Sequence, residues 1–102
     1  MKLFIVTSLK DYQDTVIKIF KEARISVFSI IDVVGFKDDH PLNLLEDWFA
    51  SGDEKFDSRM IFSFTADDHA TYGMELIEKY NQSNDTGFPI RAFIVPVEKS
   101  NF

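Results

Sequence analysis

Two stretches of the chain repeat one design, and that repeat limits the folds open to it. "KLFIVTS" (Lys2 to Ser8) and "RMIFSFT" (Arg59 to Thr65) are short, apolar and end in hydroxyl residues, the pattern of a buried strand. Each is followed by a helical stripe. After the first, Tyr12, Val16, Ile19, Phe20 and Ala23 recur at the spacing of one helix face. After the second, Tyr72, Leu76, Ile77 and Tyr80 do the same. Ser8 with Asp11, and Thr65 with Asp68, stand where the helices should begin. Both pairs are expected to cap a helix, with Asp in the place usually held by Glu.

One further strand closes each unit. "ISVFSIIDVVGF" (Ile25 to Phe36) is β-branched and aromatic. "IRAFIVPV" (Ile90 to Val97) follows the turn-rich "NQSNDTGFP", and its Pro96 is tolerable only at a sheet edge or a strand end. The order β-α-β-β-α-β predicts an α+β fold of the ferredoxin-like type, a four-stranded antiparallel sheet with two helices on one face. A chain of 102 residues supports one such domain, spanning 1–102. Its strands are apolar on both sides. Leu3 and Ile5 point away from Phe4 and Val6, and Val27, Ile31 and Val33 oppose Phe28, Ile30 and Val34. Two helices cover one face only. The bare face would be a larger apolar patch than soluble monomers show, so burial against further copies of the chain is expected.

Composition then removes whole classes of function. The absence of cysteine excludes disulfides and thiolate metal sites, and it fits a cytoplasmic protein. No apolar run approaches the ~20 residues of a membrane span, and the N-terminus lacks a signal-peptide layout. The net charge of −6 is concentrated: residues 35–58 hold Asp38, Asp39, Glu46, Asp47, Asp53, Glu54 and Asp57 against Lys37 and Lys55. That segment carries −5 and the rest of the chain −1. Lys and Arg cluster nowhere, so a phosphate backbone has no footing and nucleic acid is not an expected partner. No Ser/His/Asp order, HExxH or phosphate loop is present, and the chain is not expected to be an enzyme.

The run "ISVFSIIDVVGF" resembles the second strand of PII-type signalling proteins, which closes on an acidic residue, Val, a variable position, then Gly-Phe. Here these are Asp32, Val33, Val34, Gly35 and Phe36. Lys10, after the first strand, and Ala66, Asp67 and Asp68, opening the second helix, also fall where that family has similar residues. The resemblance covers nearly the whole chain as pattern and spacing. It implies a homotrimer with the sheets inward and a long excursion, the T-loop, between the second and third strands. It also implies that this loop responds to an adenine nucleotide bound at its base and docks onto transporters, enzymes or regulators. Gly35 to Ser58 is expected to be that loop, and the cleft beside Gly35, Phe36, Lys37 and Gly87 its effector site.

Several positions depart from the family. Lys37, Asp38, Asp39 and His40 stand where it has Gly and Gln. Of the glycine-rich B-loop only Gly87 remains, Phe88 takes the place of its lysine, and Lys99 alone stands near the missing C-terminal arginines. A triphosphate needs backbone N–H groups freed by glycine and a cation to offset its charge. ATP is therefore expected to bind weakly or not at all. "PIRAFIVPVE" (Pro89 to Glu98) resembles the last strand of CutA proteins, trimers of the same shape linked to divalent-metal tolerance, although their mid-chain cysteine is absent.

Further groups of residues invite a functional reading. Asp38, Asp39 and His40 suit Zn²⁺, Co²⁺, Ni²⁺ or a harder cation, while solubility alone also explains acids in a surface loop. The second "DDH", Asp67 to His69, sits in a helix's first turn, where the dipole favours acids. "PLNLLEDWFAS" (Pro41 to Ser51) places Leu44, Leu45, Trp48 and Phe49 on a short amphipathic helix. Such a helix is too short to stand alone in water. It packs on its own trimer until an effector releases it, or it docks onto a partner. Arg59 and Arg91, near strand starts, are ion-paired ends or holders of an anionic ligand where subunits meet. These features converge on a PII-like cytoplasmic trimeric regulator, with a membrane transporter among its candidate targets. The alternatives are a CutA-like metal-binding protein and a ligand-free structural interaction module.

Overall fold

Alternation along Lys2–Leu9 (β1) decides where the core lies. Phe4 and Val6 turn to one side and are fully buried, and Leu3 and Ile5 turn to the other. In the computed structural model, which describes residues 1–36 and 55–101, β1 is central. It pairs antiparallel with Lys55–Thr65 (β3) on one side and Arg91–Pro96 (β4) on the other. Ser29–Phe36 (β2) pairs with β3, giving the order β2-β3-β1-β4. A 3₁₀ turn at Lys10–Tyr12 leads into helix Gln13–Glu22 (α1). Asp67–Ser83 (α2) follows β3. The expected ferredoxin-like α+β fold is therefore present.

The core fills the space between helices and sheet. Phe4, Val6 and Ile61 meet Val16, Ile19 and Phe20 of α1 and Ala70 and Ile77 of α2. The Phe20 ring lies 5.4 Å from Phe4 and 5.3 Å from Phe28. Each fully buried large side chain stabilises the fold by about 1.5–3 kcal/mol. α2 approaches β1 closely: a Cβ on Gly73 would lie 2.8 Å from the Phe4 ring. Among the described residues, the opposite face has no such cover. Ile31, Phe64, Phe93 and Val95 are exposed there.

The structure corrects the expected boundaries in three places. Neither Ser8 nor Thr65 caps a helix. Both hydroxyl residues still belong to strands, and the residues preceding α1 and α2 are Tyr12 and Ala66, with no side-chain cap. Ser8 Oγ donates instead to the Leu9 carbonyl at 3.1 Å. The second strand begins at Ser29, not Ile25, because Arg24 and Ile25 complete the end of α1. Ile25 N–H donates to Phe20 O at 2.8 Å and Arg24 N–H to Lys21 O at 3.1 Å, a Schellman closure.

The third strand begins at Lys55, with Gly35 opposite Phe56 and Phe36 opposite Lys55. The connection between β2 and β3 is thus 37–54, shorter than the expected 35–58 because both ends of that segment pair in the sheet. Lys37, the Asp38–Asp39–His40 group and the Leu44, Leu45, Trp48 and Phe49 helix lie outside the described residues. Pro96 ends an edge strand, as its missing N–H requires.

Candidate functional site

One end of the sheet gathers most of the candidate residues. There β1 finishes, β2 runs out into the 37–54 connection, β3 begins and β4 starts at Arg91. The ladder distributes them between the two faces. Arg59 is the partner of Ser8, and Arg91 is the partner of Thr7. Ser8 and Thr7 are chain neighbours, so the two arginines point to opposite sides. The sequence suggested an anion holder or an ion-paired end for each, and the structure separates those roles.

Arg59 is the ion-paired one. It faces the helices, pairs with Asp32 across the β2–β3 ladder, and donates from Nε to Gln13 Oε1 at 2.8 Å. Its guanidinium is thereby engaged at the first residue of α1. Arg91 faces the uncovered side. Its Nε is buried and, among the described residues, has no hydrogen-bond partner. Ser58 Oγ, on the same face beside Leu9 and Val33, is also buried without a partner there. Thr7, between the two, is buried as well. An unsatisfied buried donor is costly, so this corner suits a polar group that arrives from outside the chain.

Gly87 lies in the connection that delivers Arg91. It has φ 80°, a value that favours glycine, and nothing lies within 4 Å of where a Cβ would stand. Asn81 anchors the connection to α2. Its Nδ2 donates to Ile90 O at 2.7 Å and its Oδ1 accepts from Ile90 N–H at 3.0 Å. Phe88 follows Gly87 in this connection, and its N–H donates to Thr86 Oγ1 at 3.2 Å. Arg91 follows three residues later in the chain and opens β4. Thr7, Ser58, Gln13 and Asn81 were not legible as site residues. For Ser58 the signal was the alternation with Met60, Phe62 and Phe64, visible once the strand is extended back to Lys55.

Among the described residues no three His, Asp or Glu side chains are grouped to hold a metal, so Asp67, Asp68 and His69 form no such site. No helix among them is long and apolar enough to cross a membrane.

No family model matches the sequence, and no curated protein matches it. Solved structures match the fold. CPII from Thiomonas intermedia K12, a nitrogen regulatory PII-like protein bound to ADP, AMP and bicarbonate, superposes with a TM-score of 0.66. The match covers 94% of this chain and 88% of that one at 8% identity. A Thermus thermophilus protein described as PII-like and signalling gives a TM-score of 0.64, covering 91% of this chain and 82% of that one at 10% identity. This chain has the PII-like fold. At such identity the likeness is one of architecture, set by the strand order and by two helices packed on one face. Within that PII-like frame the corner formed by Arg91, Thr7 and Ser58 lies at the end of the sheet from which the 37–54 connection departs.

Proposed function

We propose that the protein is a trimeric PII-like regulator in which a small anionic effector binds at the Arg91 corner and alters how the 37–54 connection engages a partner. One observation carries this reading: an apolar sheet face that, among the described residues, is uncovered and ends in two buried polar groups without a hydrogen-bond partner, Arg91 Nε and Ser58 Oγ. Burying the apolar surface against two copies removes it from water. The same packing would close the corner into a cleft between subunits, where an anion would satisfy both groups. The fold it shares with CPII, whose structure holds ADP, AMP and bicarbonate, makes these the first effectors to test.

The regulated partner is a second protein, with a membrane transporter as the candidate class, and the chain performs no chemistry of its own. Among the described residues the corner has one cation, Arg91, and one turn glycine, Gly87, which favours a ligand of low charge over a triphosphate. Calorimetry against AMP, ADP, ATP, bicarbonate and divalent cations, run in parallel, tests the proposal. The expected result is saturable binding of AMP, ADP or bicarbonate that weakens at least tenfold in Arg91→Gln, since a charged hydrogen bond contributes about 1.5–3 kcal/mol. Heat from a divalent cation alone would favour the CutA-like metal-binding role, and no heat from any ligand would favour the structural module.

A further inference from the structure

The opposite end of α1 carries a feature the effector corner does not use. Arg24 has φ 64° and is the one non-glycine residue with positive φ among the described residues. It occupies the left-handed position of the Schellman closure, where glycine is usual because a Cβ is disfavoured. Lys21 is explained by the helix dipole, which favours cations near a C-terminus. Arg24 is not, because a glycine would close the helix with less strain. Backbone strain at a polar side chain directs attention to what that side chain serves.

Beside it is a hollow of about 250 Å³ lined by Lys21, Arg24, Ile25, Ser26 and Phe28. Its floor is apolar: Ile25 is buried, and the half-buried Phe28 ring packs edge-on against Phe20. Its rim is two exposed cations and an exposed hydroxyl. Neither cation has an ion pair among the described residues, on a chain whose net charge is −6. We infer that this hollow is a second binding site, for a small organic anion with a flat apolar body and one carboxylate or phosphate group. The apolar part lies on Phe28 and Ile25, Lys21 and Arg24 hold the charge, and Ser26 Oγ donates to it.

Size limits the ligand. At about 250 Å³ the hollow falls just below the ~300–1,000 Å³ usual for pockets that hold drug-sized ligands, which suits a ring with one anionic group. The site is separate from the Arg91 corner. α1 starts beside Arg59 and ends beside the first residues of β2, about 15 Å away at 1.5 Å per residue. It lies on the helix-covered side, so trimer formation through the bare face leaves it open to solvent.

Amide NMR of the full-length protein tests the inference, with phenyl phosphate and benzoate as probes. Phenol serves as the ring without charge, and inorganic phosphate as the charge without ring. The expected result is saturable shifts confined to Lys21–Ser29 for at least one of the two probes, with both controls at least tenfold weaker. Which probe binds more tightly separates a phosphate from a carboxylate preference. Arg24→Gly removes the cation while suiting the backbone, so binding should fall about tenfold while the unfolding temperature holds or rises. Lys21→Gln should lower affinity without displacing the shifted residues. Absence of localised saturable shifts, phenol binding as tightly as both anions, or unchanged affinity in Arg24→Gly would each overturn the site.

Discussion

Asp32 and Arg59 are ladder partners on adjacent strands and form an ion pair whose two members have different surroundings. The Arg59 side chain is 15% exposed, and that of Asp32 is 82% exposed. The buried member also donates to Gln13 Oε1, so one guanidinium ties the edge strand to the first turn of α1. Its part-buried hydrogen bond to Gln13 should contribute more than its contact with a largely exposed aspartate.

That asymmetry predicts an order of effects in urea unfolding. Asp32→Asn should cost less than about 1 kcal/mol, as for other solvated pairs. Gln13→Ala should cost about 1 kcal/mol for the lost hydrogen bond. Arg59→Ala should cost most, because it also removes the packed hydrocarbon stem. An Asp32→Asn loss equal to that of Arg59→Ala would contradict the ordering.

Assembly and folding should separate by sheet face. Light scattering of the wild-type protein should give about three times 11.8 kDa. Phe64, 54% exposed on the bare face, should tolerate Asp as a folded monomer with unchanged far-UV circular dichroism. Phe4→Asp should not fold, since a buried unpaired carboxylate costs on the order of the whole stability. A dilute, folded wild-type monomer would remove the trimer from the proposal.

Gly73→Ala tests the close approach of α2 to β1. Alanine improves helix propensity by about 1 kcal/mol. Its Cβ, however, would stand 2.8 Å from a Phe4 ring that is itself fully buried and cannot swing clear. Overpacking of about 1–3 kcal/mol should outweigh the propensity gain, giving a lower unfolding midpoint. A midpoint above wild type would show that the ring yields.

Asn81→Ala removes both hydrogen bonds to Ile90 and should lower stability by about 1–3 kcal/mol. It should also loosen the connection carrying Gly87 and Arg91, so effector affinity should fall in calorimetry even though Asn81 is not proposed to touch the ligand. Asn81→Asp keeps the acceptor for Ile90 N–H but sets a carboxylate oxygen against the Ile90 carbonyl oxygen, and should cost at least as much as Asn81→Ala. Affinity unchanged in Asn81→Ala would detach the connection from the site.

Trp48 is the single tryptophan, and the proposed function makes its emission a reporter. If the 41–51 segment packs on the trimer until an effector releases it, emission should begin blue-shifted and protected from quencher. It should then move to the red on titration with AMP, ADP or bicarbonate. A fully quenchable Trp48 in the effector-free protein would count against release.

Periodicity alone determined the order and type of the elements, because an apolar period of two or of 3.6 residues follows directly from which side chains must leave water. The same logic exposed the two apolar sheet faces through Leu3, Ile5, Phe4 and Val6. What it misplaced were the ends. Ile25 reads as strand in any local window, yet a backbone hydrogen bond to Phe20 makes it the close of α1. Lys55–Ser58 read as loop because charge and turn-like residues hide a ladder supplied by β2. Pairing energy comes from a partner strand distant in sequence, and local composition does not contain it. The site shows the same division. Arg59 and Arg91 were visible as cations, but only the register, Ser8 with Arg59 and Thr7 with Arg91, sends one to the helices and the other to the bare face. A one-residue difference in register reverses the direction of a side chain, so the assignment of roles belonged to the tertiary structure.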